Sequence, residues 1–213
     1  MKVGILGSGD VGQALGRGFA SKGYDVKIGS RDPSNPKLKD WLAKVGKKGS
    51  TGTFAETAAY GDIVVIATLG SAAEQAVDLA KPANLNGKLV IDVTNPLDFS
   101  KGMPPTNFTG LDDSLGERIQ RKVPNGRVVK CWNTVPNSQM FNPTFKDAEM
   151  LIAGNDPAAK KDVGKILKEF GWKDSIDVGG IENSRWLEAL VPLWVRAGMS
   201  LNTWNHIFQV RHD

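Results

Sequence analysis

Three glycines at the junction of an apolar run and an amphipathic run constrain this chain more than any other feature. Val3 to Leu6 form a short apolar segment that enters Gly7-Ser8-Gly9-Asp10-Val11-Gly12. Val11, Leu15 and Phe19 then recur at helical spacing, and a second apolar run follows from Tyr24 to Ile28. A Gly-x-Gly-x-x-Gly turn between a strand and a helix, closed by a second strand, predicts a β-α-β unit that binds a dinucleotide. The three glycines serve different ends. Gly7 permits the tight turn, Gly9 lets a pyrophosphate approach the backbone, and Gly12 lets the helix pack close to the strand. The free N–H groups and positive end of that helix, with Ser8, Asp10 and Val11 around them, then face the diphosphate.

The end of the second strand selects the dinucleotide. NAD sites place an Asp or Glu there to accept hydrogen bonds from the ribose hydroxyls. Here the place reads Gly29-Ser30-Arg31, with no acid before Asp32, and Asp25 lies too early, at the start of the strand. A carboxylate would repel a 2′-phosphate, whereas an Arg fork and a Ser hydroxyl bind one. The expected cofactor is therefore NADP(H) rather than NAD(H). Arg31 could also lay its guanidinium plane on the adenine.

The 213 residues, 40% of them hydrophobic, suffice for one full core, with or without a small appendage. A net charge of +4 is mild, and no cluster of Arg with base-stacking aromatics marks a nucleic-acid partner. Lys47-Lys48, in the one dense basic group, reads as a solvated loop. One cysteine, Cys131, excludes an internal disulfide framework and a Cys-based zinc site. It falls in the apolar run Arg127–Trp132 and reads as a buried strand thiol. With only His206 and His212, a His-rich metal site is not expected. No signal segment and no membrane-length apolar run are found, so a soluble, cytoplasmic protein without a membrane partner is the expectation.

Strand-like runs alternate with helical patterns almost throughout, the mark of an α/β fold with helices on both faces of a mainly parallel sheet. Helices are predicted over 36–45, 55–60, 72–80, 111–122 and 157–170, the last capped by Asp156 with Pro157 in its first turn. Strands are predicted at 51–54, 62–67, 88–92, 127–132, 149–153 and 175–178. Residues 97–109 read as loop, and 181–208 as a long apolar helix or two. The expected organisation is a Rossmann-type, doubly wound domain over 1–180 with a C-terminal helical region, 181–213, in the same unit. Trp186, Trp194 and Trp204 in that region are expected in core or subunit interface, with one or two able to line a pocket for a flat ring.

Ligands of open α/β sheets bind beyond the carboxyl ends of the strands. Three such ends carry small polar groups: Thr68-Leu69-Gly70, Val93-Thr94-Asn95-Pro96 and Asn133-Thr134. Thr68 and Gly70 could approach the ribose and pyrophosphate, and Asn95 and Asn133 the nicotinamide carboxamide or the second ligand. Asn95-Pro96 is also ordinary turn chemistry. No general acid or base stands out, and no catalytic residue is identifiable: there is no Ser/Tyr/Lys set and no His/Asp relay. Hydride transfer between stacked rings depends on proximity more than on protein acid–base groups. An acceptor that is itself a flavin-like cofactor fits this sequence better than an alcohol or ketone. A non-catalytic NADP-binding sensor, or a small-substrate dehydrogenase of the 6-phosphogluconate or pyrroline-carboxylate reductase kind, are the other readings.

In order and type, Gly7–Gly12, Ile28–Arg31, Asp62–Ala67, Asp92–Pro96, Val129–Thr134 and Gly154–Pro157 resemble the NADPH-dependent coenzyme F420 reductases and their wider NADP oxidoreductase relatives. The resemblance spans nearly the whole chain. It implies a Rossmann domain with a small C-terminal part, NADP held by the Gly-rich loop and Ser30-Arg31, and often a homodimer. This chain departs from the family in carrying Asp10 where a neutral residue is common.

Overall fold

A computed structural model describes residues 1–211. In chain order the elements are β1 (Lys2–Leu6), α1 (Asp10–Ser21), β2 (Asp25–Gly29), α2 (Lys37–Val45), β3 (Gly49–Gly52), α3 (Phe54–Tyr60), β4 (Ile63–Ile66), α4 (Gly70–Ala80) and β5 (Leu89–Asp92). Next come β6 (Leu97–Asp98), β7 (Thr106–Asn107), α5 (Leu115–Lys122), β8 (Arg127–Lys130), β9 (Glu149–Gly154), α6 (Pro157–Glu169), β10 (Asp174–Asp177) and α7 (Ser184–Leu201).

The main sheet runs β10-β9-β8-β5-β4-β1-β2-β3. From β3 to β8 every pairing is parallel; β9 lies antiparallel to β8 and parallel to β10. Parallel neighbours need crossovers, and these place helices on both faces. Alternation along the strands then builds two cores. Val3, Ile5, Val65 and Ile91 join Leu15, Phe19, Trp41 and Phe170 on the side of α1, α2 and α6. Leu6, Val64, Ile66 and Val90 join Ala58, Val77, Leu115 and Ile119 on the side of α3, α4 and α5. The expected α/β doubly wound, mainly parallel architecture is present, and strand order reverses between β1 and β4.

The local signals hold where they were strong. Asp156 accepts the Ala159 N–H at 2.8 Å and starts α6 behind Pro157. Cys131 is fully buried, and burial pushes its thiol well above the usual range, so it is no ready nucleophile. Four segments differ most from expectation. The edge strand lies at 49–52 rather than 51–54, because Thr53 and Glu56 form a capping box that starts α3. The segment 97–109, expected as loop, holds the antiparallel pair β6–β7. The predicted helix over 111–122 begins only at Leu115, where the Ser114 side chain accepts the Glu117 N–H. The segment 181–208, expected as one long apolar helix or two, holds the single α-helix α7, ended by Asn202 in the left-handed conformation.

Among the described residues no helix is long and apolar enough to cross a membrane, and no group of three His, Cys, Asp or Glu could hold a metal ion. His212 lies outside the described residues.

Candidate functional site

A cleft of about 650 Å³ opens at the carboxyl ends of β1, β2, β4 and β5, across the reversal of strand order. Its floor is the glycine turn. Gly7 has φ +131°, and a Cβ there would meet the Ala67 carbonyl oxygen at 2.3 Å. At Gly12 a Cβ would meet the Gly7 carbonyl oxygen at 2.1 Å, so only glycine lets α1 approach β1 this closely. Gly9 is the opposite case: a Cβ on it would touch nothing within 4 Å and would fill free space of the cleft. That space suits a group that must come up against the backbone.

Two helix starts line the cleft, α1 at Gly9–Val11 and α4 at Leu69–Ala72, and neither carries a side-chain cap. Their first N–H groups have no intrahelical partner, so both positive ends can favour an anion in the cleft. Asp10 lines the cleft on the first turn of α1. The Thr68 hydroxyl, also in the lining, is buried without a partner.

At the end of β2 the Ser30 hydroxyl accepts from the Asp32 N–H at 3.2 Å and lies 3.3 Å from the Ser8 hydroxyl. Arg31 is exposed and makes no hydrogen bond or ion pair among the described residues. Asp32 also lines the cleft, and its Oδ1 accepts from the Ser34 N–H at 3.0 Å and the Ser34 hydroxyl at 2.6 Å. Ser8, Ser30 and Arg31 thus line the cleft together, a set of donors able to bind a sugar phosphate.

The profile of a family described as NADP oxidoreductase, coenzyme F420-dependent, matches residues 2–96. The F420-dependent NADP reductase of Methanocaldococcus jannaschii is 30% identical over 207 residues, covering 92% of this chain and 91% of that protein. The chain belongs to this family. The enzyme of the same name from Methanothermobacter marburgensis is 29% identical over 225 residues, covering 97% and 95% of the two chains. A crystal structure of a proposed F420-dependent NADP-reductase from Arthrobacter sp. FB24 is 40% identical and covers 100% of both chains at a TM-score of 0.95.

Within the family's fold the structure sorts the residues expected at the site. Gly7, Ser8, Gly9, Asp10, Val11, Ser30, Arg31, Thr68, Leu69, Gly70 and Asn95 all line the cleft. Gly12 is buried beneath it. Pro96 and Thr134 are buried outside the lining. Asn133 stands behind Asn95 rather than in the cleft: its Nδ2 donates to Asn95 Oδ1 at 3.1 Å and to the Leu187 carbonyl at 2.9 Å, and Asn95 Nδ2 returns a bond to the Asn133 carbonyl at 2.7 Å. Trp132 turns the chain to make this pairing. Its φ of 59° is rare for so large a residue, and packing on Phe170 at 5.5 Å holds it there. His206 does not reach the cleft: its ring stacks on Trp194 at 4.4 Å, and Nε2 donates to the Trp194 carbonyl at 2.9 Å.

The lining also includes residues that sequence reasoning passed over. Gln75 and Leu79 reach it from one face of α4, Phe54 from the start of α3, and Phe99 from the β6–β7 hairpin. The i, i+4 spacing of the α4 pair was visible, but which face of α4 meets the cleft depends on the sheet. Thr94 is held from three sides: its N–H and hydroxyl donate to Asp92 Oδ1 at 2.9 and 2.7 Å, and its carbonyl accepts from Lys130 Nζ at 2.9 Å.

Lys130 is fully buried, as are Asp92 and Glu188, and its Nζ lies 2.7 Å from a carboxylate oxygen of each. Glu188 in turn accepts the Leu115 and Gly116 N–H groups at 2.9 and 3.0 Å, so the start of α5 offsets the second carboxylate. Burial works to lower the Lys130 pKa, but the charges of Asp92 and Glu188 outweigh it and hold the ammonium above its ordinary value of 10.5.

Proposed function

We propose that the protein transfers hydride between NADP(H) and a flavin-like or deazaflavin acceptor of the F420 type. The observation that carries the reading is the β2 end, where Ser30 and the free Arg31 face the cleft while Asp32 is bonded to Ser34. In this reading Arg31 and Ser30 hold the 2′-phosphate, the starts of α1 and α4 hold the pyrophosphate, and Thr94 and Asn95 flank the nicotinamide. When bound, NADPH would supply a hydride to the acceptor ring, with the accompanying proton drawn from solvent. Among the described residues the ionisable groups lining the cleft are Asp10, Arg31 and Asp32, all at the phosphate and ribose end. A cleft without an acid or base at its other end suits transfer between two rings held face to face, for which orientation is the main requirement. The single cysteine, buried and reduced, fits a cytoplasmic enzyme.

Titration of NADPH and NADH, followed by stopped-flow mixing with F420, FMN, FAD and riboflavin, tests the reading. NADPH is expected to bind more tightly than NADH, and Arg31→Ala to weaken NADPH by about ten- to thirtyfold, the value of a charge-assisted phosphate contact. Equal NADH affinity in both proteins overturns the NADP assignment. NADPH binding with no turnover on any acceptor would make the protein a sensor.

We further propose that two copies pair through α7. Trp186 and Leu193 are each 55% exposed and Leu201 63%, and with Leu190 they follow one another at helical spacing on one face. Light scattering should give the mass of two chains for the native protein and of one for Leu193→Glu; a native monomer overturns the proposal.

A further inference from the structure

Glu188 is linked to two segments that line the cleft, Thr94 through Lys130 and the β6–β7 hairpin through Asn107, although it is not itself in the lining. Its side chain meets Lys130, and Lys130 and Asp92 between them hold the backbone and hydroxyl of Thr94. Its backbone carbonyl meets the hairpin. Pro192 lies four residues on in α7 and has no N–H to return to that carbonyl. Asn107 of β7 supplies the missing donor: its Nδ2 lies 3.0 Å from the Glu188 carbonyl oxygen. The hairpin so tethered carries Leu97 and Phe99 into the cleft. One residue of the C-terminal helix is thus linked to Thr94 through its carboxylate and Lys130, and bonds to the hairpin through its carbonyl.

We propose that Glu188 is a positioning residue for hydride transfer, setting the rim and the hairpin against each other so that the nicotinamide half of the cofactor is held in one orientation. This rests on the reading of the cleft as an NADP(H) site. The adenosine half binds at the opposite end, by Ser30 and Arg31, where neither Glu188 nor its partners reach. Loosening Glu188 therefore separates the two halves: the phosphate end keeps its ligand, and the nicotinamide end loses its order. A group that only supported the fold would weaken both ends together.

The test compares native protein, Glu188→Gln and Asn107→Leu by thermal unfolding, by titration with 2′,5′-ADP and with NADPH, by the fluorescence of the bound dihydronicotinamide, and by single-turnover transfer to F420 or FMN at saturating NADPH. Asn107 lies on the hairpin outside both apolar cores, so its variant keeps the test open if Glu188→Gln does not fold. The expected result is unchanged 2′,5′-ADP affinity in either variant, loss of the fluorescence change that NADPH binding produces, and transfer slowed by about tenfold or more, as misplacement of reacting groups causes. Equal weakening of 2′,5′-ADP and NADPH, or native fluorescence and transfer in a folded variant, overturns the proposal. Failure of the underlying reading shows separately, as absence of NADPH binding by the native protein.

Discussion

Lys130→Met is expected to cost about 3–5 kcal/mol of folding stability, the range for removing one partner of a buried ion pair. Methionine fills nearly the same volume, so the loss is electrostatic rather than a cavity. The Lys130 ammonium donates to Asp92 Oδ2, Glu188 Oε1 and the Thr94 carbonyl, and all three residues are at most 2% exposed. Without it two carboxylates remain in the core, balanced only by backbone N–H groups and one hydroxyl. Asp92→Asn in the Lys130→Met background should recover part of the loss, because it removes one of the uncompensated charges. The same lysine sets a pH dependence. Its pKa is raised on folding, so its contribution is fully present below its ordinary value of 10.5 and disappears as pH rises through the higher folded value. Unfolding measured from neutral pH upward should show native stability falling at alkaline pH, with Lys130→Met lacking that component. A variant as stable as the native protein would mean that the triad contributes nothing net.

Gly12→Ala is expected to have the second largest effect, about 3 kcal/mol of destabilisation, the upper part of the range for overpacking. The added Cβ would lie 2.1 Å from the Gly7 carbonyl oxygen and 3.1 Å from its carbon, both backbone atoms of the turn. No side chain can swing aside; α1 must move off β1 and carry its N-terminus with it. Gly9→Ala is the matched control, since its Cβ would meet nothing within 4 Å. Its stability should equal that of the native protein while NADP(H) binding falls by about tenfold or more, through lost charge-assisted bonds to the phosphate. Denaturant unfolding and nucleotide titration on the two variants check both arms. Unweakened binding in Gly9→Ala would show that no ligand approaches the turn.

Much of the cleft was legible because its parts are short and contiguous. Gly7 to Gly12 encode a turn, Asp156-Pro157 a helix start, and Ser30-Arg31 a strand end, each within a few residues and each through a backbone or hydrogen-bond preference that acts locally. The segment 97–107 was less legible, since two-residue strands carry no periodicity and Asn107 finds its carbonyl acceptor on Glu188, 81 residues away. Trp132 also resisted reading: nothing in an apolar run announces a tryptophan held at φ 59° by its packing.

What the chain determined by itself is the order of the main-sheet strands and the helices, the glycine turn and the Ser30-Arg31 end of β2, all set by local conformational preference and hydrophobic period. What only the tertiary structure decided is the other end of the cleft. Lys130 reads from sequence as one polar residue in a strand, Asp92 as the end of another, and Glu188 as an interruption in an apolar helix. They bond because β5 and β8 pair in register and α7 docks over α5. Burial then makes their charges depend on one another, and no local preference specifies which buried charges meet.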